Sequence, residues 1–222
     1  MSDSLSRFHC PVGHNSCPAM EENLRLAQEC RQLEALSHVD ALTGLYNYRY
    51  FLKALEMEME RTRRSRLPTG LIMIDLDFFK RVNDTHGHQT GNMVLCWVGK
   101  IWKEGIRLID IPFRFGGDEF ALLLPGTSLG QSVKIAQRLR NALKQTPLVL
   151  DNLVINLTAS FGVAVFRHTE DLTVEGFIAK SDQYLIKAKL GARDLVCSQP
   201  KEEPPEDSVS PQEKGMLLGG NQ

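Results

Sequence analysis

An α+β fold is what this sequence predicts, and three observations carry the prediction. Helical and strand-like periods alternate along the chain. Leu71 to Leu76 is a short apolar run with the length of a buried strand. Two further strand-like runs, Pro112 to Phe115 and Glu119 to Leu124, flank Gly116-Gly117-Asp118, a hairpin-turn signature. Alternating elements with one tightly turned strand pair give a sheet with helices packed on its faces, of the ferredoxin-like kind.

Taken in order, residues 1 to 19 carry Pro11, Gly13 and Pro18 without a clear period and read as a loop or ordered cap. From Met20 to Val39 the pattern turns helical, with Leu26, Cys30, Leu33 and Ser37 in four-three-four spacing among charged residues. It covers fewer than three heptads, so a coiled-coil stalk and a single helix packed on its own domain both stay open. The main domain is expected from Asp40 to residue 198. Residues 48–66 read as a helix whose basic end (Arg61, Arg63, Arg64, Arg66) suits a helix C-terminus, and Leu67-Pro68-Thr69-Gly70 breaks it. Residues 90–105 read as a helix burying Met93, Val94, Trp97 and Ile101. Residues 129–145 and 173–190 are helical, Leu153 to Phe166 reads as one long strand or a bent pair, and Asp194 to Cys197 as a final edge strand. From Gln199 onward, four prolines among Glu, Ser and Lys predict a disordered tail.

Composition narrows the function classes. With 222 residues, 42% hydrophobic and 24% charged, the chain suits one packed domain with appendages and excludes wholesale disorder. Lys and Arg number 26 against 27 Asp and Glu, so no basic excess points to nucleic acid or an anionic membrane. No apolar run approaches the roughly 20 residues of a membrane span. The N-terminus lacks the apolar core of a secretion signal, which predicts a cytoplasmic protein. Five unevenly spaced cysteines predict reduced thiols, Cys96 and Cys197 reading as core or strand residues.

Two acidic clusters carry the chemistry. Asp75-Leu76-Asp77 stands where a buried apolar strand runs out, a costly place for carboxylates unless they are paired or hold a cation. Alternation puts Asp75 and Asp77 on one face, near the Leu76 carbonyl, and hard oxygens of this kind suit Mg²⁺ or Mn²⁺. Asp118-Glu119 follows Gly116-Gly117 on a tight turn, where glycines let the backbone approach a ligand's phosphates.

The motifs around these clusters resemble a known family. Arg114-Phe115-Gly116-Gly117-Asp118-Glu119-Phe120 is similar to the GGDEF signature, and Asp40-Ala41-Leu42-Thr43-Gly44-Leu45-Tyr46-Asn47 to the family's opening segment. Asp75-Leu76-Asp77-Phe78-Phe79-Lys80 with Asn83-Asp84-Thr85-His86-Gly87-His88 resembles its second motif, and Ala188-Lys189 with Arg193 its last. The resemblance spans residues 38–197 and implies a diguanylate cyclase of nucleotidyl-cyclase-like fold, its mostly antiparallel sheet flanked by helices. Such an enzyme condenses two GTP into cyclic di-GMP and releases pyrophosphate, using two Mg²⁺ or Mn²⁺ per active site. By the resemblance, Asp75, the Leu76 carbonyl, Asp118 and Glu119 hold metal, and Asp118 alternatively helps to deprotonate the attacking hydroxyl. Gly116 and Gly117 leave room for phosphates, Lys80, Lys189 and Arg193 neutralise the triphosphate, and Asn83 reads the guanine edge.

The sequence departs from the family at Asn92, where an acidic residue is usual. A carboxylate accepts from both guanine donors, whereas an amide offers one donor and one acceptor. Two outcomes stay open: guanine binding at lower affinity, or relaxed purine choice with mixed GMP–AMP products. Arg107-Leu108-Ile109-Asp110 resembles the family's product-binding inhibitory site, joined by Arg138; an exposed Arg–Asp pair of little energetic weight is the plain alternative. A non-catalytic cyclic di-GMP receptor is the competing function, disfavoured because Asp75, Asp118 and Glu119 are all present. His9, Cys10, His14 and Cys17 offer zinc ligands at a spacing that matches no finger or ribbon, or a redox or metal sensor. Because each domain presents one nucleotide, a homodimer is expected, with the helix from Met20 to Val39 as its device.

Overall fold

The computed structural model describes residues 22–28, 38–150 and 153–200. Residues 22–28 are helical, within the expected stalk, but the helix expected to reach Val39 stops short of it: His38 is not helical and Val39 bridges to Tyr46. The rest of that stalk, the His9–Cys17 cluster and the tail beyond Pro200 lie outside the described residues. The elements that follow are α1 (Tyr48–Ser65), β1 (Thr69–Leu76), α2 (Phe79–Glu104), β2 (Ile111–Arg114), β3 (Glu119–Leu124), α3 (Leu129–Gln145), β4 (Leu148–Leu150), β5 (Leu153–Ile155), β6 (Ala159–Phe166), α4 (Val174–Leu190) and β7 (Val196–Ser198).

Five strands form the main sheet in the order β2-β3-β1-β6-β7, antiparallel throughout except for the β6–β7 pair. This is the β-α-β-β-α-β ferredoxin-like arrangement with a strand added at the edge. Side-chain alternation divides the core between two faces. Ile72, Ile74 and Leu76 of β1 join Phe120, Leu122, Phe161 and Val163 beneath α2 and α3, where Trp102 meets Phe120 and Phe161 edge-on. Leu71 and Met73 join Ala121, Leu123, Ala164 and Phe166 beneath α1 and α4. Both faces are covered, which is why these strands read as continuous apolar runs rather than alternating ones. Truncating a residue such as Phe161, fully buried here, costs about 3–5 kcal/mol.

Local signals place the helix ends. Asn47 caps α1 by accepting from the Tyr50 amide at 3.0 Å, and Arg66, left-handed at φ 62°, ends it by donating its N–H to the Thr62 carbonyl. Ser128 and Gln131 form a capping box at α3, and Thr173 caps α4.

Several expectations need correction. The helix expected over 90–105 begins at Phe79 and bends at Gly87. Its buried face is Val94, Leu95, Val98 and Trp102; Met93 is exposed, and Trp97 and Ile101 are only partly covered. The stretch over 153–166 takes the second of its two expected forms, a bent pair; what the pattern does not reveal is β4, the three-residue strand with which its first part pairs. Cys96 is exposed rather than core, its thiol donating to the Leu42 carbonyl at 3.0 Å. Gln199, expected in the tail, is buried, and its Oε1 accepts from the Val165 amide at 2.9 Å.

Candidate functional site

The site lies at the sheet end where β1 finishes and β3 begins. Antiparallel register sets Asp75 directly opposite Glu119. Cross-strand partners project to the same face, so the two carboxylates are neighbours. That face carries α4, whose Lys189 Nζ reaches Asp75 Oδ2 at 2.8 Å. The Leu76 amide donates to the Asp118 carbonyl at 3.3 Å, which ties the hairpin to the strand end.

The electrostatics are those of crowded acids. Burial pushes the Asp75 carboxyl up; Lys189 opposes the shift, and the charges of Asp118 and Asp77 add to it. Burial likewise raises Glu119, helped by the Asp75 charge and partly offset by Lys189. A divalent cation relieves this repulsion. Among the described residues no three His, Cys, Asp or Glu side chains converge to hold a metal by themselves. Two facing carboxylates with the Leu76 carbonyl in the same segment would suit an ion that keeps positions for phosphate oxygens and water, as Mg²⁺ does.

Arg114 builds the hairpin. Its guanidinium donates to the Gly116 carbonyl at 3.2 Å and the Gly117 carbonyl at 2.9 Å, and pairs with Asp40 at 3.1 Å. Asp40 also accepts from the amide and hydroxyl of Thr43. A Cβ on Gly116 would lie 2.9 Å from Glu119 Oε2, so Gly116 makes room for that carboxylate; at Gly117 a Cβ would meet nothing within 4 Å.

Beside the hairpin, a cleft of about 350 Å³ is lined by Lys80, Asn83, His88, Asn92, Gly117 and Asp118, over Phe79, Leu95 and Arg114. Gly87 makes the cleft possible. At φ 81° and ψ 161° it takes a conformation open essentially to glycine, and the bend sets Asn83 and Asn92 into one cleft. Gly91 lets Asn83 lie close, since a Cβ there would fall 1.8 Å from Asn83 Oδ1. Sequence reasoning did not single out His88, Phe79 or Leu95 as lining; the spacing of His88 from Asn83 and Asn92 signals it only once the bend is known.

Arg193 sits on the turn after α4, its guanidinium 4.7 Å from the Phe78 ring centre. Asp77 is buried, and its oxygens accept from Thr158, Ser160 and the Asp194 amide. Its acceptors are spent on the protein, which removes it from the metal-facing pair that alternation suggested. Arg107, Asp110 and Arg138 form a separate group. Asp110 is buried; one oxygen accepts from the Arg107 amide at 3.0 Å and the other has no hydrogen-bond partner. Burial raises its pKa against the charges of Arg107 and Arg138, and Arg138 itself donates to the Gly105 carbonyl at 2.6 Å. A cleft of about 550 Å³ opens beside Arg107 and Asp110.

Comparison with known proteins fits this geometry. The family model described as diguanylate cyclase, GGDEF domain, matches residues 37–194. The chain belongs to the GGDEF diguanylate cyclase family. Response regulator PleD of Caulobacter vibrioides is 34% identical over 163 residues, covering 72% of this chain and 36% of that protein. Diguanylate cyclase DgcP of Pseudomonas aeruginosa is 36% identical over 155 residues, covering 70% and 23%. The chain spans less than half the length of such curated relatives. Diguanylate cyclase SiaD of P. aeruginosa, solved with its activator SiaC, matches with a TM-score of 0.70 at 34% identity, covering 82% of this chain and 70% of that one. An active GGEEF domain of a diguanylate cyclase from Vibrio cholerae matches at 0.65 and 29%, covering 70% and 98%. Among the described residues no helix is long and apolar enough to cross a membrane.

Proposed function

We propose that this GGDEF protein condenses two GTP into cyclic di-GMP with release of pyrophosphate. The observation that carries the reading is the facing pair Asp75 and Glu119 across β1 and β3, with Lys189 on Asp75. Asp75, Glu119, the Leu76 carbonyl and Asp118 are the groups that would hold Mg²⁺ or Mn²⁺. The metal, when bound, neutralises triphosphate charge and lowers the pKa of the attacking 3′-hydroxyl. Lys189, paired with Asp75 in this structure, Lys80 from the cleft and Arg193 from the α4 turn are the cations that would neutralise the triphosphate. The open face of Gly117 lets backbone amides near the phosphates. Asn83 and Asn92 take the base edge in the cleft between them.

Each domain holds one nucleotide, so a second copy must face the first for the hydroxyl to reach its α-phosphate in line. The helix containing residues 22–28 is the proposed device for that pairing. The proposed domain, residues 40–198, overlaps the matched family region of 37–194, and the burial of Gln199 carries its packed edge at least one residue further.

A second reading concerns selectivity. The cleft presents two amides, Asn83 and Asn92, where a carboxylate would reject adenine. Incubation with equal GTP and ATP and Mg²⁺, followed by mass resolution of products, tests both readings. Cyclic di-GMP as main product is expected. A measurable mixed GMP–AMP product supports the second reading, its absence rejects that reading, and no cyclic product of either kind overturns the cyclase.

Regulation by product belongs to the Arg107, Asp110 and Arg138 group. Two guanidinium charges around a buried carboxylate with an unpartnered oxygen suit guanine donors and phosphates. Arg107→Ala is expected to raise steady-state turnover several-fold at accumulated product; identical progress curves for both proteins with added cyclic di-GMP would remove the inhibitory role.

A further inference from the structure

We infer that Asp77 is the positioning residue for Arg193, acting through the backbone of Asp194, and that the Asp194–Arg140 ion pair completes the clamp. The inference rests on the proposed nucleotide site, in which Arg193 meets the triphosphate.

Asp77 is 4% exposed, and a buried carboxylate is tolerated only when its oxygens are satisfied. Oδ1 accepts from the Ser160 hydroxyl at 2.8 Å. Oδ2 accepts from the Thr158 hydroxyl at 2.7 Å and the Asp194 amide at 3.0 Å. The first two bonds fix Asp77 to β6 and to the loop before it; the third crosses to the turn after α4. That turn needs holding. Arg193 and Asp194 stand at φ 52° and 46°, left-handed values that L residues keep only where their surroundings impose them. The Asp194 side chain is gripped from the other direction by Arg140 Nε at 2.6 Å and Lys144 Nζ at 2.7 Å, both from α3. Burial pushes the Asp194 carboxyl up, but those two cations outweigh it and leave the group below its ordinary range.

The geometry decides where Arg193 points. Its guanidinium stacks on Phe78, the residue that follows Asp77 and is itself left-handed at φ 58°. Asp77 thus anchors both partners of the stack, Phe78 by the chain and Arg193 through the Asp194 amide. A free arginine loses much rotamer freedom when it takes a phosphate; one already ordered beside the site loses less, and the ligand binds tighter. Asp77 touches no nucleotide in this scheme.

Calorimetric titration of the full chain with a non-hydrolysable GTP analogue and Mg²⁺ tests the inference. Arg193→Ala is expected to weaken binding about tenfold, and Asp77→Ala by a comparable factor. The double variant should bind no worse than Arg193→Ala alone. Asp77→Asn should stay near wild type, because its amide oxygen still accepts from the Thr158 hydroxyl and the Asp194 amide while its NH₂ donates to the Ser160 hydroxyl, which turns to accept. If Asp77→Ala does not fold, Arg140→Ala decides: it should weaken binding several-fold, and the effect should vanish in the Arg193→Ala background. Additive losses, damage from Asp77→Asn equal to that from Asp77→Ala, or no effect of Arg193→Ala would overturn the inference while the proposed function stands. Failure of the wild-type chain to bind the analogue overturns the nucleotide site and the inference together.

Discussion

At the scale of single residues, the candidate site stores electrostatic repulsion for a cation to relieve. Asp75 and Glu119 both have folded pKa values raised chiefly by burial, Asp75 further by the Asp118 and Asp77 charges and Glu119 by the Asp75 charge, with Lys189 opposing both shifts. A carboxylate raised in the folded state stabilises the fold fully below its unfolded pKa, and that contribution is lost as pH rises through the folded value. At neutral pH without metal, both acids therefore work against the fold. Glu119→Gln is expected to raise the melting temperature of metal-free protein at pH 7 by about 1–3 °C, since solvent screening leaves under about 1 kcal/mol. The gain should shrink as pH falls toward 4, where wild-type Glu119 is itself neutral. A variant that melts lower at pH 7 would show that Glu119 is a structural partner instead. The facing of Asp75 and Glu119 was legible in sequence because a strand that runs out in an acid and a hairpin that starts with one meet at the same sheet end. The fate of Asp77 was not. Whether its oxygens face solvent or serve hydroxyls depends on Thr158 and Ser160, over 80 residues away.

At the scale of elements, the cleft depends on one bent helix. Gly87 holds a mirror-region conformation, and a Cβ there would meet nothing within 4 Å, so its requirement is purely a backbone one. Gly87→Ala is expected to cost about 1–3 kcal/mol of stability and to weaken nucleotide binding by parting Asn83 from Asn92. Denaturant unfolding with nucleotide titration reads both; an unchanged midpoint would mean that the bend survives a side chain. The polar stretch from Lys80 to Gly87 hid the first half of α2 from pattern reading, because its helical face is cut short by the bend. That same displacement shifted the inferred buried face, leaving Met93 outside and Leu95 and Val98 inside. Three-residue β4 carried too few side chains for period-2 alternation to register. By contrast, α1, α3 and α4 were placed within about one residue by caps and breakers that act locally.

At the scale of the molecule, strand order turns scattered motifs into one site. With β1 between β3 and β6, residues near 75, 119, 160 and 189–194 gather at one end of the sheet. The sheet class was legible because every long apolar run is short enough for a strand and is followed by a helix or tight turn. The pairing of β4 with β5, and the edge seat of Gln199, arise from contacts between segments whose patterns say nothing of each other. The central claim is that Asp75 and Glu119 together chelate a divalent cation at a bound triphosphate. The most direct measurement is the loss of the free Mn²⁺ paramagnetic resonance signal on adding the full chain with a non-hydrolysable GTP analogue. Wild-type protein should take up Mn²⁺, with affinity reduced about tenfold or more in both Asp75→Asn and Glu119→Gln. Equal Mn²⁺ uptake by the wild type and both variants would contradict the claim.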